Sequence, residues 1–322
     1  MRSEPIDILM VHYNNRYIGG DLFDNFEYYQ FIKKHSNFSV KLLIISEKNT
    51  KKALLDKYDL DLITFDGVEF MTNSQIKQKC SVGISFKYNP KIIFSTSSIH
   101  IISFMQALEN NKIIAPYNKI LSIVNGTYED NKLRFEKSNK RIRDNILFLC
   151  DERFKDYYKE YSNIQYKRSL YFDIFKECTG DENDATLINL YTPHKQIDHE
   201  KVVNIIRTYE IKKLLIYCHE ENILECMKIK VDGVEVEVLI PPIDNLMNRF
   251  DRYIYIPVER KWDVSPRLIP EAIWYGKDIQ YQGLGSIVDG SYYRCIDSLC
   301  RFDDLILKEN DDILKILGKY ID

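Results

Sequence analysis

The sequence predicts an α/β protein made of two consecutive doubly wound units, and three observations carry that prediction. Short continuous apolar runs alternate with segments of helical period, the pattern of a parallel sheet covered on both faces. The alternation lapses after Cys150 and restarts at Ala185. A chain of 322 residues that is 45 % apolar and 13 % aromatic is long enough to fill two cores.

In chain order, Ile6–Val11 (IDILMV) reads as the first strand, and the Gly19-Gly20 turn opens a helix through His35. Val40–Ser46, Asp61–Phe65, Lys91–Ser95, Ile120–Val124 and Ile146–Cys150 follow as strands, with a helix from Lys91–Ser95 onward to Asn110. Asp151–Ser162 reads as a polar, aromatic-rich helix and Asn163–Leu170 as a strand or connector. The second series comprises strands at Ala185–Tyr191, Lys213–Cys218, Val234–Ile240, Tyr253–Val258 and Asp278–Tyr281. Helices are expected at Asp198–Glu210, Glu221–Lys228, Asp244–Phe250, Pro266–Tyr275 and Asp311–Tyr320. The division falls between 165 and 183, giving domains of 1–170 and 171–322.

Composition excludes a disordered chain, a fibrous repeat and a strongly basic binding module. Lys and Arg number 45 against 48 Asp and Glu, a net charge of −3. The charge is uneven: the first 150 residues carry a net +5 and the remainder −8, so the two units are expected to meet different ligands. The seven cysteines are scattered and form no C-x-x-C pair, which points to free thiols in a reducing cytoplasm. Cys295 and Cys300 with His219 are the alternative, a metal-binding set. No long uncharged apolar stretch marks a membrane span, and Glu4 and Asp7 break any amino-terminal signal.

The most specific local signal is Lys261–Gln280, KWDVSPRLIPEAIWYGKDIQ. Pro266 suits a first helical turn capped by Ser265 or Asp263, and Gly276 suits the helix end. Arg267 and Glu271 are four apart on one face near the amino-terminal end, where a phosphate and a sugar diol find complementary charge. The plainer alternative is an i,i+4 ion pair on a solvated face.

Asp263, seven residues, Glu271-Ala272 and then Gly276-Lys277 together resemble the nucleotide-sugar motif of GT-B glycosyltransferases, enzymes of two facing Rossmann-like domains with a cleft between them. The resemblance implies an acceptor-side first domain and a donor-binding second domain with a closing carboxyl-terminal helix. It assigns Glu271 to the ribose hydroxyls of a nucleoside-diphosphate sugar, with UDP-sugar the expected donor. Asp263 stands where many retaining members have Glu, and an Arg shortly before the Glu is similar to the layout of phage DNA glucosyltransferases, so retention or inversion stays open. His194 and Lys195, in the loop after the Ala185–Tyr191 strand, are placed at the diphosphate with Arg267. Cys218-His219-Glu220 and Ile240-Pro241-Pro242 are expected to flank the nucleobase.

In the first unit Gly19 and Gly20 are expected beside the sugar and phosphate. A group must take the proton of the acceptor hydroxyl, and Asp21 is the first choice and His100 the second, ahead of Asp66 and Asp130. Such transfer needs cationic or amide donors at the leaving diphosphate rather than a resident metal or cofactor. Asp59-Leu60-Asp61 has the D-x-D letters but is set aside as the start of a buried strand, so no metal is expected. Lys132, Arg134, Lys137, Lys140, Arg141 and Arg143 lie on an expected exposed hairpin or loop, either a track for DNA phosphates or a plain solvated loop, as suits a chain of negative net charge. The implied activity is hexosyl or pentosyl transfer, to a hydroxymethylpyrimidine in phage DNA (in the host cytoplasm) or to a surface polysaccharide or glycoprotein. A non-catalytic nucleotide-sugar binding protein and an epimerase are the other classes.

Overall fold

The computed structural model describes residues 4–14, 18–80, 87–110, 119–124, 128–150, 158–166, 170–178, 183–190, 197–241, 243, 245–256, 267–281 and 310–321. They divide into two compact units. The first takes in the described parts of 1–51 and 60–174 together with the last helix; the second takes in 52–59 and the described parts of 175–290. The chain therefore enters the second unit once early, and returns to the first unit at its end.

The first unit holds a seven-stranded sheet, all parallel, in the order β3-β2-β1-β4-β5-β6-β7. Its strands are β1 (Glu4–Tyr13), β2 (Val40–Ile45), β3 (Val68–Met71), β4 (Tyr88–Ser95), β5 (Lys119–Ile123), β6 (Ile146–Cys150) and β7 (Asn163–Gln165). β1 lies between β2 and β4, with Ile8 opposite both Val40 and Ile92. Covered on both sides, it is apolar almost throughout and buries Ile8, Leu9, Met10 and Val11 completely.

Helix α1 (Gly20–His35) is buried nearly all round, unlike a surface helix with one apolar stripe. Several of its buried polar residues are bonded: Gln30 pairs by both amide atoms with the backbone of Thr64, Tyr28 meets Tyr166 at 2.6 Å, and Glu27 accepts from the Tyr171 amide. The last helix, α10 (Asn310–Ile321), buries Ile313, Ile316, Leu317 and Ile321 at helical spacing, packing against β4.

The DLITF run at 61–65 is not a strand. Thr64 gives its backbone bonds to Gln30, Phe65 packs on Phe26 and Phe70, and the strand begins after a turn at Gly67. That turn needs glycine: φ is +88°, and a Cβ would lie 2.8 Å from the Tyr29 hydroxyl. Leu62, counted toward the expected strand, and Leu60 just before it are more than half exposed. The reason for setting aside Asp59-Leu60-Asp61 thus fails, because this segment is a surface turn.

The second unit holds a five-stranded parallel sheet in the order β10-β9-β8-β11-β12. Its strands are β8 (Ala185–Leu190), β9 (Lys213–Cys218), β10 (Glu235–Leu239), β11 (Arg252–Tyr255) and β12 (Asp278–Tyr281). Helix α7 (His199–Thr208) starts at Asp198, whose carboxylate accepts from the Lys201 amide at 2.9 Å. Its Val202, Ile205 and Ile206 pack with Ile188, Leu214, Ile216 and Ile254 to form the core. Residues 246–248 make a 3-10 turn where a short helix was expected.

Candidate functional site

Both sheets share one order: reading outward from the central strand, the connection reverses side between β1 and β4 in the first and between β8 and β11 in the second. Ligands of doubly wound sheets bind outside the carboxyl ends of the strands at such reversals. In the first unit that place holds three chemically active side chains.

His12 is the last residue but one of β1, Asp21 occupies the first turn of α1, the next element, and His100 lies in the first turn of α4 (Ser98–Asn110), directly after β4. Strand pairing of β1 with β4 brings residues 88 positions apart to one point. Asp21 Oδ2 is 3.2 Å from His12 Nδ1 and 2.6 Å from His100 Nδ1. The two rings stand edge to face, 5.9 Å between centroids. His12 is fully buried, Asp21 nearly so, and the His100 side chain is 17 % exposed.

Burial pushes the Asp21 carboxyl up, but His100 and His12 outweigh it and hold the group well below the usual carboxylate range. Its position is fixed from behind: Asn25 donates to the Asp21 carbonyl at 2.8 Å and accepts from the Thr96 amide at 3.1 Å, tying α1 to the β4–α4 loop. That loop, Ser95-Thr96-Ser97-Ser98, is entirely buried, an unusual environment for four consecutive hydroxyls.

Asp21 and His100 were expected from sequence, and His12 was not. The only signal for His12 was its place, a polar residue closing an apolar strand run. Gly19 precedes α1 in an extended conformation that any residue adopts, φ −123°, and is buried there; Gly20 is the first helical residue. Asp66 is exposed and pairs with Lys33 at 2.6 Å, and the Asp130 side chain lies outside the described residues.

In the second unit α9 (Leu268–Trp274) begins later than expected, after Arg267, which carries no side-chain cap. Pro266, Ser265 and Asp263 lie outside the described residues, as do His194, Lys195, Cys295 and Cys300. The helix ends as expected: Gly276 has φ +68°, its amide bonds to Ile273 and that of Lys277 to Ala272, two bonds that close the free carbonyls.

Arg267 and Glu271 do form the i,i+4 ion pair, but on a buried face: Glu271 is 3 % exposed. The second oxygen of Glu271 meets Lys57 at 2.6 Å. Lys57 comes from α2 (Thr50–Lys57), whose residues from 52 onward belong to the second unit. Both cations lie over Phe175, at 5.1 Å for Lys57 and 5.9 Å for Arg267. Tyr58 packs on Phe175, Lys176 bonds the Asp56 carbonyl, and the Tyr275 hydroxyl bonds the Lys176 carbonyl, so the cluster is braced on every strand of chain that enters it. Burial pushes Glu271 up, and the charges of Lys57 and Arg267 more than offset this, leaving it below the usual value.

The expected basic loop at 132–143 is helical: α5 (Tyr128–Lys137) and α6 (Lys140–Asn145), separated by Asn139, which caps α6 by accepting from the Ile142 amide. Burial of Phe135 and Ile142 at helical intervals accounts for the difference. Arg143 is spent on the Glu136 and Ser138 carbonyls at the end of α5, and Arg134 donates to Ser103. Lys137, Lys140 and Arg141 are exposed, while Lys132 is half-buried beside Glu136. No described helix is long and apolar enough to cross a membrane. Cys218 and Cys226 are buried free thiols.

No family model matches the chain, and no curated protein matches it in sequence. Solved structures do match in fold. A Listeria monocytogenes protein assigned as a UDP-N-acetylglucosamine 2-epimerase aligns with TM-score 0.53 and 11 % identity over 96 % of this chain and 92 % of its own. A glycosyltransferase from Rickettsia africae ESF-5 gives 0.51 and 13 % over 100 % and 94 %. S. aureus MnaA, solved with UDP, gives 0.50 and 12 % over 93 % and 89 %. The fold is thus the two-unit GT-B fold of nucleotide-sugar glycosyltransferases and UDP-sugar epimerases; none of these three is described as a DNA glucosyltransferase.

Proposed function

We propose that this chain is a glycosyltransferase that moves a sugar from a UDP-sugar to an acceptor hydroxyl. One observation carries the reading: a buried carboxylate held between two imidazoles at the strand reversal of the first unit, within a fold shared with a glycosyltransferase and with a UDP complex.

In this reading His100, the more exposed ring, takes the acceptor proton on Nε2 while its Nδ1 faces Asp21, which stabilises the imidazolium that forms. The acceptor oxygen bonds to the anomeric carbon, the bond from that carbon to the diphosphate oxygen breaks, and UDP departs with the electron pair. His194 and Lys195 offset its charge, and Arg267 and Glu271 serve the diphosphate and the ribose once they release the buried ion pairs that join them to each other and to Lys57. No resident metal or cofactor is called on in this step. A glycan or glycoprotein hydroxyl is the preferred acceptor over hydroxymethylpyrimidine DNA, because at least three of the six cations proposed for a phosphate track already serve neighbouring protein groups.

An epimerase is the second reading, favoured by the Listeria match. It would be expected to carry paired acids at the reacting centre, and the first-unit cluster contains one carboxylate. Incubation with a panel of UDP-sugars, with and without acceptors, separates the readings. Release of UDP that requires Asp21 and His100 is expected; an epimerised sugar still joined to UDP selects the epimerase, and neither binding nor turnover of any nucleotide-sugar rejects both.

A further inference from the structure

The His12–Asp21–His100 cluster has a property that a base and its partner do not need. His12 Nδ1, Asp21 Oδ2 and His100 Nδ1 are all shielded from solvent, yet none makes a hydrogen bond of acceptable geometry with any described residue, although they lie within reach of one another. Instead the three ligand atoms converge, all within 4.8 Å of one another. Three inward-facing polar atoms shielded from solvent are costly unless something satisfies them.

Two imidazole nitrogens and one carboxylate oxygen are the donor set of divalent first-row metals, zinc in particular, with bonds of about 2.0–2.2 Å. The 3.2 Å edge between His12 and Asp21 matches the separation of ligands on such an ion. The edge to His100 needs to open by about 0.6 Å, and His100 is the one ligand with solvent on its far side. The Asn25 bonds hold the α1 backbone to the β4–α4 loop and so keep Asp21 beside His100, while His12 Nε2 is buried without a hydrogen-bond partner among the described residues. Hard octahedral ions that prefer all-oxygen shells fit poorly.

We propose that His12, Asp21 and His100 form a binding site for one divalent transition-metal ion, zinc or a congener, whose occupancy switches the proposed transferase off. The consequence follows from imidazole chemistry. Coordination through Nδ1 leaves the proton on Nε2, so His100 has no lone pair with which to take the acceptor proton, and Asp21 is neutralised by the metal. The switching half of the proposal rests on the transferase reading above; the binding half stands without it.

The test uses the full chain, stripped with a chelator and dialysed against zinc or cobalt(II) at neutral pH. One tightly held equivalent, visible d–d bands with cobalt, and loss of both in His100→Gln and in Asp21→Asn are expected. Circular dichroism confirms that the variants fold, and His100→Gln, at the partly exposed position, is the safer of the two. Where UDP release is measurable, it should fall on zinc loading and return on chelation. Metal retention unchanged in both folded variants, or no stoichiometric retention by the parent chain, overturns the site even if UDP release still depends on Asp21 and His100. Retention lost in the variants without any UDP-sugar turnover leaves the site standing and removes the transferase reading instead. Undiminished UDP release by the zinc-loaded protein overturns the switch.

Discussion

Replacing Glu271 by Gln tests whether the buried ion cluster of the second unit holds that unit together. The carboxylate is 3 % exposed and satisfies two cations that are themselves shielded, the Lys57 and Arg267 side chains at 19 % and 8 % exposure. Glutamine keeps the shape but removes the charge and turns one acceptor into a donor facing a cation. Breaking a buried pair from one side costs about 3–5 kcal/mol. Lys57 can recover part of its hydration, so the lower end, about 3 kcal/mol, is expected.

With a urea slope of about 2 kcal/mol/M, the midpoint should fall by about 1.5 M. Trp274, on α9 with Glu271, reports the transition by fluorescence. Because Glu271 titrates below its ordinary value when folded, its contribution is complete above the unfolded carboxylate pKa of about 4.3 and is lost as pH falls through the lower folded value. The gap between parent and variant should be constant near neutrality and close only in acid. A midpoint within about 0.3 M of the parent at neutral pH, beyond the extrapolation uncertainty, would refute the reasoning. Lys57→Met, which leaves the Arg267 pair intact, should cost about 1.5 kcal/mol, and combining it with Glu271→Gln should be markedly less than additive.

Arg267→Met should weaken UDP binding while leaving uridine nearly unaffected, as measured by calorimetry; equal losses for both ligands would take Arg267 away from the phosphate. In the transferase reading His100→Gln should lower turnover by about 10²–10⁴-fold with UDP affinity retained, and a parallel loss of affinity would make the effect structural. Changing Lys137, Lys140 and Arg141 to Ser should abolish any steeply salt-dependent DNA binding while leaving transfer to a glycan intact. Cys226 is buried, and burial with the neighbouring Cys218 pushes its thiol up to about 12, so it should resist a thiol reagent in the native protein at mildly alkaline pH and react on unfolding.

Most of the fold was legible because each strand of a doubly wound sheet is a local apolar run, and each helix a local periodic pattern. The misreadings have local causes with distant origins. DLITF carries a strand's composition, yet Gln30, thirty-four residues earlier, takes the backbone bonds of Thr64. The basic segment from Lys132 looked like a loop because its charges dominate the reading, whereas Phe135 and Ile142 anchor two helices.

At the sites, the sequence alone singled out Asp21, His100, Arg267 and Glu271, since each follows a strand or opens a helix, positions that local pattern reveals. Only tertiary structure added His12 and Lys57. His12 meets His100 because β1 pairs with β4 as well as with its sequential neighbour β2, and Lys57 meets Glu271 because a short stretch of the early chain is built into the second unit. Strand order and chain crossing depend on which buried faces fit together across long sequence separations, and no local period encodes them. Whether Asp21 reads as a helix-cap residue or as the centre of a buried cluster, and whether Glu271 faces water or two cations, was decided there.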